Sequence, residues 1–303
     1  MTHTTHTRTT TATTATTKPK TPSPARAALA RGLQRRRARL ALTIVVAAVI
    51  TAIIGPALVG TAGLRIDLAH DLAGPFVTGA GPLGRADNGV DLLTALVFGA
   101  RTSLFVSLAS TAISASVGVV VGAVAASVGG RSEAVMVRLL DVLLAFPGIV
   151  LAVYLAAVLP PSSLTVVIAL SATGWVGFAR VMRASVHTVL VREHVVAARA
   201  LGASSTRVLV RHVLPLAMTP VVVQVSFGAG TAVLAEASLS FLGLGAPPGT
   251  PSWGGLLDEG VAYLFVAPHL AIAPGLCIAA LVLSFHILGD AAADALEVRS
   301  RQP

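Results

Sequence analysis

Glu193, Arg199, Arg207 and Arg211 crowd into one stretch, EHVVAARALGASSTRVLVRHVLP (Glu193–Pro215), of a chain in which only 12% of residues are charged. The chemistry such a cluster offers is recognition. It suits an amphipathic helix resting on lipid headgroups or an exposed helix gripped by a protein partner, and the physics alone leaves both open. A second candidate is Glu236, an acid inside the apolar run Leu214–Phe241. An ionisable group in such a run is a functional candidate by default. It lies 21 residues past Pro215, about 32 Å along a helix, so near a membrane boundary. Two roles fit there. It is a helix-end acid bonded to its own loop, or it belongs to a pathway or outer gate with Ser238, Ser240 and Trp253.

Bond-making chemistry is not indicated. The chain has no GxxxxGK[ST] phosphate loop and no Ser/His/Asp arrangement with supporting context. Its single cysteine, Cys277, lies in an apolar run, allows no intrachain disulfide and suggests no thiolate cluster. The eight histidines form no HExxH spacing, and His194 and His212 stand 18 residues apart. We therefore assign no catalytic residue and no metal ligand.

These residues must be positioned by membrane helices. The 303-residue chain is 54% hydrophobic, which excludes an ordinary soluble domain. Its net charge of +9 would suggest nucleic acid in a soluble protein. Here the arginines lie between apolar runs, so topology is the better explanation and no nucleic-acid partner is expected. Residues 1–25 are rich in Thr, Pro and Ala and cannot bury a core. Six arginines follow before Leu40–Ala62, 23 residues without a charge. A helix needs about 20 apolar residues to span a bilayer, and a signal peptide's apolar region is shorter, so this is an uncleaved anchor. Further spans are Thr102–Val128, Leu139–Leu159 with a kink at Pro147, Ser162–Ala179, Leu214–Phe241 and Leu270–Leu288. Thr102–Val128 is rich in the small residues that let membrane helices pack closely.

With six spans and an inside N-terminus, nineteen Lys and Arg fall inside and three (Arg65, Arg85, Arg101) outside. That bias places both termini and Glu193–Pro215 in the cytoplasm. Asp141 and Asp290, near the inner ends of their spans, are expected to pair with nearby arginines. The outside loop of residues 242–269 has no Lys or Arg. It is dense in Gly and Pro, which favours turns over a regular element.

Within Glu193–Pro215, the alanines and Leu201 favour a helix, Gly202 suits its end, and Ser204 or Ser205 can cap a second short helix. That second helix is expected to stop near Leu214 because Pro215 follows.

AARALGAS…RHVLP resembles the cytoplasmic EAA-type loop of inner-membrane permease subunits in bacterial ABC importers. Ala197, Ala198, Gly202, Leu214 and Pro215 match its pattern, and Val196 stands where the pattern has Glu. Glu236–Gly245 with Pro247–Gly254 resembles a signature of the dipeptide/oligopeptide/nickel branch. Gly81–Asp91, Arg138–Pro147, Gly174–Arg180 and His286–Asp290 add weaker likeness in chain order, over about residues 35–300. The resemblance implies an all-α polytopic fold of six transmembrane helices, with a coupling-helix loop between the fourth and fifth. It divides the chain into a cytoplasmic tail (1–38), a first helix (39–62), an extracytoplasmic segment (63–101), a five-helix permease core (102–295, its loop at 190–215) and a C-terminal tail (296–303). It implies that Glu193, Ala197, Ala198, Arg199, Gly202, Ala203, Arg207, Arg211, Leu214 and Pro215 dock an ATPase. The partners implied are a second homologous permease subunit, two ABC ATPases that carry ATP and Mg, an extracytoplasmic binding protein and lipid. No cofactor is expected on this chain, and peptides, or less readily nickel, are the implied cargo. The competing class is an ion-gradient-driven secondary transporter. It calls for mid-membrane charges and inverted repeats, and neither is evident.

Overall fold

The computed structural model describes residues 24–247 and 249–300. The threonine-rich segment up to residue 23, read from sequence as disordered, and the last three residues of the C-terminal tail lie outside them. Five long helices dominate: α1 (Pro24–Val59), α2 (Leu92–Val128), α5 (Ser163–Leu190), α8 (Leu214–Phe241) and α10 (His269–Ser300). Each contains a stretch long and apolar enough to cross a bilayer. Between them lie α3 (Gly130–Ala145) and α4 (Gly148–Val158), then α6 (Glu193–Ala200) and α7 (Ser205–Val208), and later α9 (Trp253–Ala262). Among the described residues the one β feature is an isolated bridge between Arg85 and Asp91.

The third span is broken rather than kinked. α3 and α4 meet at 76°. Phe146, directly before Pro147, is extended (φ −90°, ψ 133°), because the proline ring crowds a helical residue ahead of it. Counted as one span, the bent pair makes six. The second span is longer than its uncharged run. α2 begins at Leu92, where the Asp91 carboxylate accepts the Thr94 amide (2.8 Å) and so takes up one of the free N–H groups of the first turn.

Small residues bring α2 against α5. A Cβ on Gly118 or Gly122 would collide with the backbone of Trp175 and Ala179, so glycine is what permits this approach. Two buried hydroxyls on α2 stay within the helix: Ser107 donates to Ser103 O and Thr111 to Ser107 O, both 2.7 Å. One core cluster lies at the end where α2 starts and α8 finishes, around Leu92, Leu96, Val233, Trp253 and Leu281. A second lies at the opposite, basic end, around Met182, Val186, Val195, Val208, Val213 and Val221. Large apolar side chains of α1 such as Ile50, Ile53 and Leu58 point outward. Lipid tails solvate such a surface as well as a protein core does.

Two local expectations are corrected. The Gly- and Pro-dense loop contains a regular element, α9, because Ser252 caps it by accepting the Gly255 amide (3.1 Å) and Gly254 lies directly on Ala237 and Ser240 of α8. Nor does the chain stop being helical before Pro215. A π-turn (Leu209–Val213) carries α7 into α8, with Pro215 just beyond it in the first turn of α8; the widened turn lies next to the position at which Pro215 cannot donate a hydrogen bond.

Candidate functional site

At the basic end the chain turns outward and back. α6 ends in two paired hydrogen bonds, from Ala203 N–H to Ala198 O (3.1 Å) and from Gly202 N–H to Arg199 O (2.9 Å). Together they form the Schellman closure, which needs a left-handed residue at the position of Gly202. Gly202 has φ +83°. The closure explains the Ala-Ala-x-x-x-Gly spacing in physical terms. Ala198 supplies the far carbonyl, Gly202 the left-handed step, and Ala203 the apolar contact back. Ser204 then starts α7, its hydroxyl accepting the Arg207 amide (3.4 Å).

The segment is both presented and clamped. Glu193, Ala197, Arg199, Gly202, Arg207, Arg211 and Pro215 are exposed, while Ala198, Ala203 and Leu214 are half-buried. Val195 is fully buried (0% exposed) among Val186, Val189, Val208 and Val213. It ties α6 to the ends of α5 and α8. On the outer side Leu201 is 89% exposed and Val196 54%. Where the resembled pattern has an acid, this chain therefore shows an exposed apolar side chain, and Leu201 at the end of α6 is a second one. Sequence reasoning passed over Leu201, because a leucine after alanines reads as a helix former. The signal was its place directly before the glycine turn, where no helix face remains to bury it.

A second arrangement at this end joins residues 50 and 54 positions apart in sequence: Glu133 of α3 accepts from Arg183 Nε (2.6 Å) and contacts His187 Nε2 (2.7 Å) on α5. The expected pairing of Asp141 and Asp290 with arginines is not made among the described residues. Asp141 is exposed, and Arg183 goes to Glu133 instead. α3 packs on α5 through Leu140 and Leu143, against Val176 and Ala179, and Asp141 between them stands on the exposed face.

At the other end, Glu236 is 1% exposed. Its Oε1 accepts the Ser240 hydroxyl (2.8 Å), and Oε2 has no hydrogen-bond partner. Trp253 closes over the same place. Its amide donates to Ser103 Oγ (3.1 Å) and its indole N–H to Leu96 O (3.0 Å), both on α2. Glu236, Ser240 and Trp253 are thus brought together, with α9 pinned across the tops of α2 and α8. Ser238 is not part of the group, since its hydroxyl turns back to Leu234 O (2.8 Å).

The adjoining segment of residues 60–91 is held by Arg85, whose guanidinium donates to Gly89 O (3.0 Å) and Gly79 O (3.1 Å). Asp67 contacts His70 Nδ1 (2.9 Å). That hydrogen bond, against some desolvation and with help from Arg85, holds the Asp67 carboxyl below its ordinary pKa. Among the described residues no group of three metal-ligating side chains forms.

Comparison with known proteins agrees with this geometry. Residues 118–302 match the binding-protein-dependent transport system inner membrane components. The chain is 33% identical to a dipeptide transport system permease protein of Alkalihalophilus pseudofirmus over 92% of its own length and 91% of the relative's. It is 34% identical to an oligopeptide transport system permease protein of Bacillus subtilis, over 72% of each. It is 39% identical to a glutathione transport system permease protein of Shigella dysenteriae, over 69% of each. These matches and the apolar spans together make the chain a multi-pass membrane protein, and it belongs to the binding-protein-dependent transport system inner membrane components.

Proposed function

We propose that this chain is one of two homologous permease subunits that enclose the route of a peptide into the cell, driven by two separate ATPases. Both termini and α6–α7 lie in the cytoplasm, and α9 with residues 60–91 faces an extracytoplasmic binding protein. The chain holds no nucleotide; ATP and Mg reside on the ATPases.

The observation that carries this reading is the combination at α6–α7: an exposed tip built from Leu201, Val196 and Arg199, and a root fully buried through Val195. A tip grips a partner, and a rooted tip passes the partner's motion into α5 and α8. Glu193, Ala197, Ala198, Arg199, Gly202, Ala203, Arg207, Arg211, Leu214 and Pro215 form or support the docking surface. Glu236 and Ser240, closed off by Trp253, brace the outer end of α8; Ser238 stands half-buried beside them. Transport is alternating access.

The test is reconstitution of the chain with its neighbour-encoded permease, ATPase pair and binding protein in vesicles. Uptake of labelled dipeptide that requires ATP and the binding protein is expected. Uptake driven by an ion gradient without any ATPase would overturn the reading.

A further inference from the structure

A groove whose largely apolar wall carries several polar side chains opens midway along the bundle, between α2, α5 and α8. It encloses about 200 Å³ and is lined by Ser110, Thr111, Ser114, Gln224, Phe227 and Thr231. Gln224 lies nine residues past Pro215, about 14 Å along a helix and thus near the middle of a hydrocarbon core about 30 Å thick. Ser110 and Thr111 donate to Ser107 O (3.1 and 2.7 Å), and Thr231 donates to Phe227 O (3.0 Å). Their oxygens keep lone pairs for another donor. The Gln224 amide has no hydrogen bond among the described residues, and its nitrogen lies over Gly177, 3.9 Å from where a Cβ would be. Gly174 keeps the floor open, because a Cβ there would come within 2.5 Å of Ser114 Oγ. A side-chain amide brings two donors and an acceptor, and hydrocarbon offers it no partner. This face is therefore not turned to lipid. Residues 102–128, 163–179 and 214–235 carry no charged side chain, so the polar groups in the groove are all neutral.

We propose that this groove is the chain's half of the translocation pathway, and that Gln224, Ser114 and Thr231 contact the main chain of a peptide in transit. An amide and hydroxyls match the N–H and C=O that every peptide carries. With no charge at this depth, the surface does not select among cargo side chains by charge. The proposal rests on the reading above that two such chains enclose the route.

The test uses the full complex in vesicles, with Cys277→Ala as background. Thr231→Cys is expected to react with a membrane-impermeant cationic thiosulfonate during ATP turnover, and excess dipeptide is expected to slow the reaction. Ile53→Cys, on the exposed side of α1, is expected to stay unlabelled. Gln224→Leu should assemble normally yet import dipeptide roughly threefold to tenfold more slowly, the worth of one neutral hydrogen bond. Gln224→Asn should recover part of that loss. The proposal is overturned if Thr231→Cys is inert in every state while uptake is intact, or if it cross-links to the second permease without reacting with the reagent. Unchanged uptake by Gln224→Leu overturns it too. A parent complex that imports no peptide overturns the permease reading instead, so the two failures are distinct.

Discussion

Gly202 allows the docking turn to be tested by degrees. Its φ of +83° is left-handed, and a Cβ built there meets nothing within 4 Å. Substitution therefore acts through backbone strain and not through collision. An alanine forced to stay left-handed costs about 1–2 kcal/mol, which lowers the population of the closed turn about fivefold to thirtyfold. Asparagine tolerates this region better and should cost least. Valine, β-branched, should cost more than alanine. Proline is worst, because its ring fixes φ near −65° and it removes the N–H that bonds Arg199 O at 2.9 Å. The assay is the ratio of dipeptide imported to ATP hydrolysed by the reconstituted complex, with membrane insertion and subunit recovery measured alongside. The ratio is expected to fall in the order Gly, Asn, Ala, Val, Pro while insertion stays constant. Coupling that is indifferent to this series, or that fails at Asn as badly as at Pro, would refute the argument that the left-handed turn sets the docking geometry.

Three further outcomes are expected. Leu201→Asp should weaken co-purification of the ATPases about tenfold to a hundredfold, since a fully buried leucine contributes about 1.5–3 kcal/mol; unchanged recovery would exclude Leu201 from the interface. Trp253→Phe keeps the ring but loses the bond to Leu96 O, a cost of about 1 kcal/mol. It should lower the melting temperature in detergent without affecting ATPase recovery. The Asp67 carboxyl is depressed chiefly by its His70 hydrogen bond, so its contribution to residues 60–91 is present above about pH 4 and lost as the pH falls through its lowered value. Hydrogen exchange of that segment should quicken in acid, and Asp67→Asn should show fast exchange at neutral pH as well.

Much of the bundle was legible because charge-free runs of bilayer length admit few alternatives. The break at Pro147 was readable for the same local reason that Phe146 is extended. Other features depend on contacts that no window contains. α9 was hidden by its glycines and prolines, which looked like turn formers; Gly254 in fact lets the helix lie on Ala237. The Glu133–Arg183–His187 cluster joins residues 50 and 54 positions apart through the approach of two helices. In the docking segment the spacing was legible and the exposed face was not. Val196 read as a departure from the loop pattern and Leu201 as an ordinary helix residue until Val195 is seen to be the one turned inward.

The π-turn at Leu209–Val213 bears on how interchangeable such loops are. It inserts one extra residue into an otherwise continuous helix, and each residue of an α-helix rotates everything beyond it by about 100°. Deleting one residue between Gly202 and Pro215 can be taken up by the π-turn closing into an α-turn, whereas deleting a second would swing the exposed tip by about 100° from the side on which Val195 roots it. Loops grafted between relatives should thus work when their length is kept or is one residue short, even with many side chains changed, and fail when they are two residues short. The distance from turn to proline behaves like the phase of a gear with one spare tooth: side chains can be replaced around it, and only a larger slip turns the exposed tip away from its side.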